Sequence, residues 1–393
     1  MFPSKILPPA LCPGLALCLS LSGCGKAAAP TPAPTLAVTK NFSVEQHAQA
    51  VTFLQNYAEA IRESDAPSVN EAFDADALLK RVTYGLSLKK RAAVQFEKGF
   101  KQGLNNPNGG VAASFMGAYY ELLPHTGTPE SPQFICRKIL DDGGLDYHRF
   151  EISFETGKPK IVDMYIFTAG EYLSQNFRRL ILPMAAAMDK SIVKRLFNKS
   201  STDTYLAGTN LLPAITQHAL AFEYHEAYEK IQSLPAEMRQ EKPIRIITLS
   251  VLASLKDRGQ EYNAELESYR TAFPNDPSLD LVLIDYCFLA KDYPSAIAAI
   301  RALQKSVGGD RHLELLLASC YFEMDQGAKG LKHAKRYQAA FPDNLDGAFA
   351  VFQAYVLTEQ FPQALVTLKT LRTDQEWEFD LRALTEDMPW MKP

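Results

Sequence analysis

Six side chains of this sequence are of kinds, and in places, that could do chemistry. Asp163 and Tyr165 stand two apart in the run Ile161 to Phe167, so strand alternation puts both on one face. His148 lies in the preceding run, Tyr147 to Phe154, from which it is expected to reach them. Tyr119 and Tyr120 complete the group, and a carboxylate, an imidazole and phenols are the groups of general acid–base catalysis. The same residue types are also common cross-strand neighbours on half-exposed sheets, where they only pack. The sixth is the thiol of Cys24, which closes Leu21-Ser22-Gly23-Cys24. No phosphate-binding glycine loop, His-Glu-x-x-His pair, nucleophile elbow or EF-hand loop occurs, so no cofactor and no metal are expected.

The elements that must position the first five follow from local pattern. Ser43 is placed to cap a helix whose apolar face includes Val44, Ala48, Val51, Leu54, Tyr57, Ala58 and Ile61. A second helical stretch is expected from Ser68 to about Gly103, then a break at 105–110 and a short helix from Val111 to Leu123. After Pro132 the apolar period changes to two, and the runs Phe134–Leu140, Tyr147–Phe154 and Ile161–Phe167, joined at Gly143-Gly144 and Gly157, predict an antiparallel meander. His125 falls in a surface loop, and Tyr172 to Asn198 has helical spacing suited to connecting helices.

Helices followed by such a meander, with Gly-Lys-Pro-Lys-Ile-Val-Asp-Met-Tyr and then Gly170-Glu171-Tyr172-Leu173-Ser174, are similar to cone-shaped domains of the nuclear-transport-factor-2-like (cystatin-like) superfamily. The resemblance covers about a third of the chain. It implies a pocket between sheet and helices, for which Asp163, Tyr165, His148, Tyr119 and Tyr120 are the candidate lining, and some members of the superfamily use such a pocket for acid–base catalysis.

The second half of the chain repeats itself. Tyr-Arg-Thr-Ala-Phe-Pro-Asn-Asp from Tyr269 returns as Tyr-Gln-Ala-Ala-Phe-Pro-Asp-Asn from Tyr337, a step of 68 residues, and Tyr293-Pro294-Ser295-Ala296 returns at the same step as Phe361-Pro362-Gln363-Ala364. Half that step leads from Ala296 to Gly330, and from Cys287 to Tyr321 to Tyr355. A period of 34 is that of tetratricopeptide helix hairpins, which this region resembles. The repeats run roughly 277–310, 311–344 and 345–376, with degenerate copies at 208–241 and 243–276. The resemblance implies a concave groove lined from the first helix of each hairpin by Leu281, Leu315 and Phe349 and by Phe288, Phe322 and Val356. Between them runs a polar line of Asp285, Ser319 and Gln353. Without a ladder of Lys and Arg such a groove does not suit a peptide's terminal carboxylate. It suits an apolar or amphipathic segment of another protein, or its residues fold under the array's own C-terminal cap, where Trp377 and Trp390 stand.

The start of the chain carries Lys5, a short apolar stretch that is cleanest from Gly14 to Ser22, and small residues before Cys24. That is the pattern of a secretory signal, too short to span a membrane. Leu-Ser-Gly-Cys resembles a bacterial lipobox, which implies acylation of the Cys24 thiol and cleavage before it. Gly25 lacks the aspartate that retains enterobacterial lipoproteins at the inner membrane, so the resemblance implies the outer membrane, facing the periplasm. The Pro/Ala-rich stretch 24–40 reads as a semi-rigid tether.

Removing Lys5 with the signal takes the formal charge from −4 to −5. A mildly acidic chain without a basic stripe is a poor ligand for nucleic acid. Cys136, Cys287 and Cys320 are expected to be buried thiols, because adjacent helix axes lie farther apart than a disulfide usually reaches. The expected organisation is a signal at 1–23, a tether at 24–40, a cone-like α+β domain at 41–183, connecting helices at 184–207, an α-solenoid at 208–376 and a cap at 377–393. The fold class is thus mainly α, with an α+β N-terminal domain. The function it suggests is an envelope lipoprotein that binds another envelope protein or peptide through the groove and the membrane through its lipid. The alternative is ligand binding or hydrolysis in the cone pocket, with the repeats as a docking arm.

Overall fold

The computed structural model describes residues 41–86, 90–106, 110–116, 118–140, 143–188, 207–274 and 276–373. They fall into two compact units, one ending at Val282 and the other beginning at Leu283. The sheet and the first hairpins, which the sequence reading assigned to separate domains, belong to the same unit.

In that unit the chain opens with helix α1 (Val44–Arg62), started by a reciprocal capping box in which Ser43 and Gln46 each accept the other's backbone amide at 3.0 Å. Its buried face is Ala50, Leu54, Tyr57, Ala58 and Ile61; Val44 and Ala48 are exposed, so the apolar stripe begins two turns later than the spacing predicts. The expected second helix is three: α2 (Ala66–Glu71), α3 (Ala75–Val82) and α4 (Lys90–Leu104). Asp65 and Asp74 accept the amides of Ser68 and Ala77, and these side-chain caps restart the helix at each break.

The expected third helix is a correction. Only Ala112–Ser114 forms a short 3₁₀ turn, and Tyr119–Leu122 is strand β1. Two aromatics in a row favour a pleated surface, and β1 is held there by pairing with β4. After the two-residue strands β2 (Gly127–Thr128) and β3 (Ser131–Pro132) come β4 (Phe134–Ile139), β5 (Leu145–Ser153), β6 (Lys160–Ile166) and β7 (Glu171–Tyr172). The main sheet is antiparallel, in the order β1-β4-β5-β6-β7. The meander turns carry Gly143 at φ 85° and Gly157 at φ 79°, a region closed to most side chains.

One face of the sheet packs against α1 to α3 through Tyr120, Phe134, Cys136, Phe150, Ile152, Met164 and Ile166. Helix α5 (Leu173–Met188) then serves two cores. Its Leu173 and Ile181 join the sheet's core, while Leu182 and Ala185 join the core of the next hairpin. That hairpin is α6 (Leu212–Leu220) and α7 (Tyr224–Gln232), followed by the short α8 (Ala236–Arg239) and by α9 (Lys242–Ser254) with α10 (Gly259–Ala272).

From Pro277 the hairpins are α11 (Pro277–Leu289) with α12 (Tyr293–Ser306), α13 (Leu313–Glu323) with α14 (Gly327–Ala340), and α15 (Leu345–Leu357) with α16 (Phe361–Thr373). Their turns repeat in atomic detail. Lys291, Asp325 and Glu359, each 34 residues from the next, all have φ near +57°. The amide after each returns 2.8 Å to the carbonyl of Cys287, Tyr321 and Tyr355 respectively, which closes the first helix as a Schellman motif. Asp276, Asp310 and Asn344, at the same step, each accept the amide two residues on. The repeated phrase is one conformation: Phe273 and Phe341 have φ, ψ of −131°, 68° and −133°, 70°, and each ring packs about 5 Å from Tyr269 or Tyr337. The copy at 243–276 lacks the left-handed turn residue, since Asp257 is not among the positive-φ positions.

Candidate functional site

The sheet separates the five residues expected to share a pocket. His148 pairs with Ile166 and Cys136, and Tyr120 pairs with Lys138, so both point to the core side. Asp163 pairs with Glu151 and Tyr165 with Arg149, which places them on the opposite face. The expected approach of His148 to Asp163 and Tyr165 is therefore corrected: neighbouring strands keep their alternation in register, and one odd step puts two side chains on opposite faces. Tyr119, half exposed, lies on the Asp163 side beside Glu121 and Arg137.

On the core side a chain of bonds runs from Tyr120 to His148 to Asp146. The Tyr120 hydroxyl lies 2.6 Å from His148 Nδ1, and His148 Nε2 lies 3.1 Å from Asp146 Oδ2. The carboxylate can only accept, so Nε2 carries the ring proton, and Nδ1 accepts from the phenol. Thr168 donates both its hydroxyl (2.8 Å) and its amide (3.0 Å) to Asp146. All three residues are buried, and burial pushes the imidazole below its ordinary range against the pull of Asp146. Asp146, which the sequence reading missed, was available by stepping two residues back along the strand from His148.

On the far side Asp163 ties two helices to the sheet. Its Oδ1 accepts the amides of Met164 (2.9 Å) and Ser174 (3.1 Å), its Oδ2 accepts the Ser174 hydroxyl at 2.5 Å, and Arg81 Nε stands 3.5 Å away. Burial raises its carboxyl to about 6 against those bonds. Tyr165 joins a different group. Lys242 Nζ donates to its hydroxyl at 2.7 Å, and the hydroxyl donates to Asp276 Oδ1 at 3.0 Å. Asp276 Oδ2 takes Lys242 at 2.6 Å and the Tyr269 hydroxyl at 2.5 Å. This polar node joins the outer face of the sheet to the hairpin of α9 and α10, and nothing in the strand pattern announces Lys242 or Asp276 as its members.

The groove residues also divide. Leu281 and Phe322 are covered, at 4% and 7% exposure, and the Phe322 ring fills the space above Gly330, where an added Cβ would lie 2.2 Å from it. Phe322 is thus a correction. The position at which a lining residue was expected holds a core side chain, drawn inward because its own hairpin offers a glycine at the crossing. Phe288, Leu315, Phe349 and Val356 are half-buried, as are Asp285, Ser319 and Gln353. Ser319 donates its hydroxyl to the Leu315 carbonyl at 3.1 Å. Asp285 Oδ1 is enclosed with no hydrogen-bond partner. The three remaining cysteines are buried free thiols, and burial raises Cys320 to about 12. Among the described residues no group of three or more His, Cys, Asp or Glu is placed to hold a metal ion, and no helix is long and apolar enough to cross a membrane. Cys24, the tether, Trp377 and Trp390 lie outside the described residues.

Comparison with known proteins matched the sequence to no family model and to no curated protein. Among solved structures it is similar to "MamA MSR-1 C2", at 13% identity and TM-score 0.35 over 42% of this chain and 93% of that one. A single-residue mutant of MamA matches at 12% identity and TM-score 0.34, over 42% and 94% of the two chains.

Proposed function

We propose that the protein is an interaction scaffold, held at a bacterial envelope by lipid on Cys24, whose helix hairpins bind a segment of another envelope protein. One observation carries the binding reading. Along the first helices of three successive hairpins, half-buried positions recur at a 34-residue step, and one of them, Asp285, keeps an enclosed oxygen that the chain itself does not bond. Asp285 Oδ1 has no hydrogen-bond partner, while the caps 34 residues apart at Asp276, Asp310 and Asn344 are each occupied. The sheet domain supports the same reading from the other direction, since Tyr120, His148, Asp163 and Tyr165 all bond to neighbours that hold strands and helices together.

A photo-crosslinking residue at Gln353, with one at the exposed Gln363 on the second helix as control, tests the binding face in the native envelope. A discrete adduct at 353 that is absent at 363 supports it; equal labelling, or none, overturns it. The anchor is tested separately by Cys24→Ser, which should release the chain from the membrane fraction and abolish its labelling with a palmitate analogue.

A further inference from the structure

We propose that the unit beginning at Leu283 takes a polypeptide segment that is apolar except for one lysine or arginine, and that this cation is seated on Asp285. The inference rests on the reading of this face as the binding face.

Asp285 lies in α11, and its Oδ1 is enclosed without a hydrogen-bond partner. Among the described residues it supplies the one carboxylate oxygen in that condition. The other buried acids among the described residues are all served: Asp146 by His148 and Thr168, Asp163 by Ser174 and Arg81, Glu171 by Arg179, Asp276 by Lys242 and Tyr269, Asp310 by the His312 amide, and Glu314 by His333. A buried acceptor left unmade costs about 1–3 kcal/mol, and more when it is charged, so native chains rarely retain one without a use. Burial alone acts on this carboxyl, raising it to about 8 with no cationic neighbour to oppose it. No side chain or backbone donor of the described chain serves that oxygen, which leaves a bound segment to supply one.

The surroundings decide what kind of donor fits. Phe288, one turn further along the helix, is half-buried and apolar, as are Leu315 and Phe349 on the first helices of the next two hairpins. They suit an apolar segment, and an apolar segment seated over an ion pair keeps out the water that would weaken it. Phosphorylated or acidic segments bring no cation to that oxygen.

The test selects a random displayed peptide library on the full chain and on Asp285→Asn, which keeps the shape and whose fold is checked by circular dichroism. The expected result is that the wild type enriches peptides with one Lys or Arg inside an apolar run. The basic position, but not the apolar consensus, should be lost on Asp285→Asn. Replacing that Lys by norleucine in the best peptide should weaken wild-type binding about tenfold or more, the scale of a partly desolvated ion pair, without needing any protein variant. Apolar peptides enriched without a basic position would overturn this inference and leave the binding face standing. No enrichment on either protein would overturn both.

Discussion

The ring of Phe322 occupies the volume that a side chain at Gly330 would need, with Cε1 2.2 Å from the position of a Cβ there. Both helices of that hairpin approach closely because one of them has no side chain at the crossing. Gly330→Ala is therefore expected to destabilise by about 1–3 kcal/mol through overpacking, despite the better helix propensity of Ala. Phe322→Leu in the same chain should recover part of the loss. Urea unfolding of the two single variants and the double variant checks this, and additive losses would mean that the contact does not govern the crossing. Phe322→Ala alone is expected to cost about 3–5 kcal/mol as a core truncation, so it is unsuited to probing the binding face.

His148 is held neutral by burial, against the pull of Asp146, in its place between Tyr120 and Asp146. A histidine whose folded pKa lies below its unfolded value contributes fully above about pH 6.5 and loses that contribution as pH falls, because the unfolded state then takes up the proton first. Stability should thus decline below about pH 6.5. Nitrogen NMR of the ring should show the proton on Nε2 at neutral pH and little titration until the protein unfolds. A ring that protonates near its ordinary value with the fold intact would contradict the assigned bonds.

The hairpin phase was legible in the sequence because a period sums many weak preferences. Ala296, Gly330 and Ala364 all sit in the crossing, and Tyr269 and Tyr337 both fill the same buried place. The lining was less legible, since the period says which residues are equivalent but not whether a given ring faces out. Phe288 and Phe322 are equivalent in phase and differ in burial, at half-buried against 7%. The sheet strands from Phe134 onward were readable from alternation, whereas β1 was not, because four residues beside a turn carry too few positions to set a period. The grouping of His148 with Asp163 failed for want of a register, which only the pairing of β5 with β6 supplies.

Lys242 and Tyr165 meet over Asp276 where the outer face of the sheet rests on the α9–α10 hairpin. Tyr165→Phe removes one neutral donor and should cost about 1 kcal/mol. Lys242→Met leaves the Asp276 carboxylate buried without its cation, for which about 3–5 kcal/mol is expected. The double variant should lose less than the sum, because both act through the same carboxylate. Strict additivity in a double-mutant cycle would show that the three groups do not act as a unit.

Asp285 makes the opposite contribution to pH dependence from His148. Its folded carboxyl, raised to about 8, holds a proton that the unfolded chain releases near pH 4, so the folded state binds more protons over that interval. Stability attached to this residue is then greatest at low pH and falls as pH rises towards 8, with no further change above it. Asp285→Asn carries no charge to bury and should be the more stable protein at pH 8.5 by about 1–3 kcal/mol, with the gap narrowing at pH 5. Urea midpoints of the two proteins at both pH values decide the matter. A constant gap would mean that the carboxyl ionises freely in the folded protein, and that the enclosed oxygen already has the water or partner that a bound cation would have to displace.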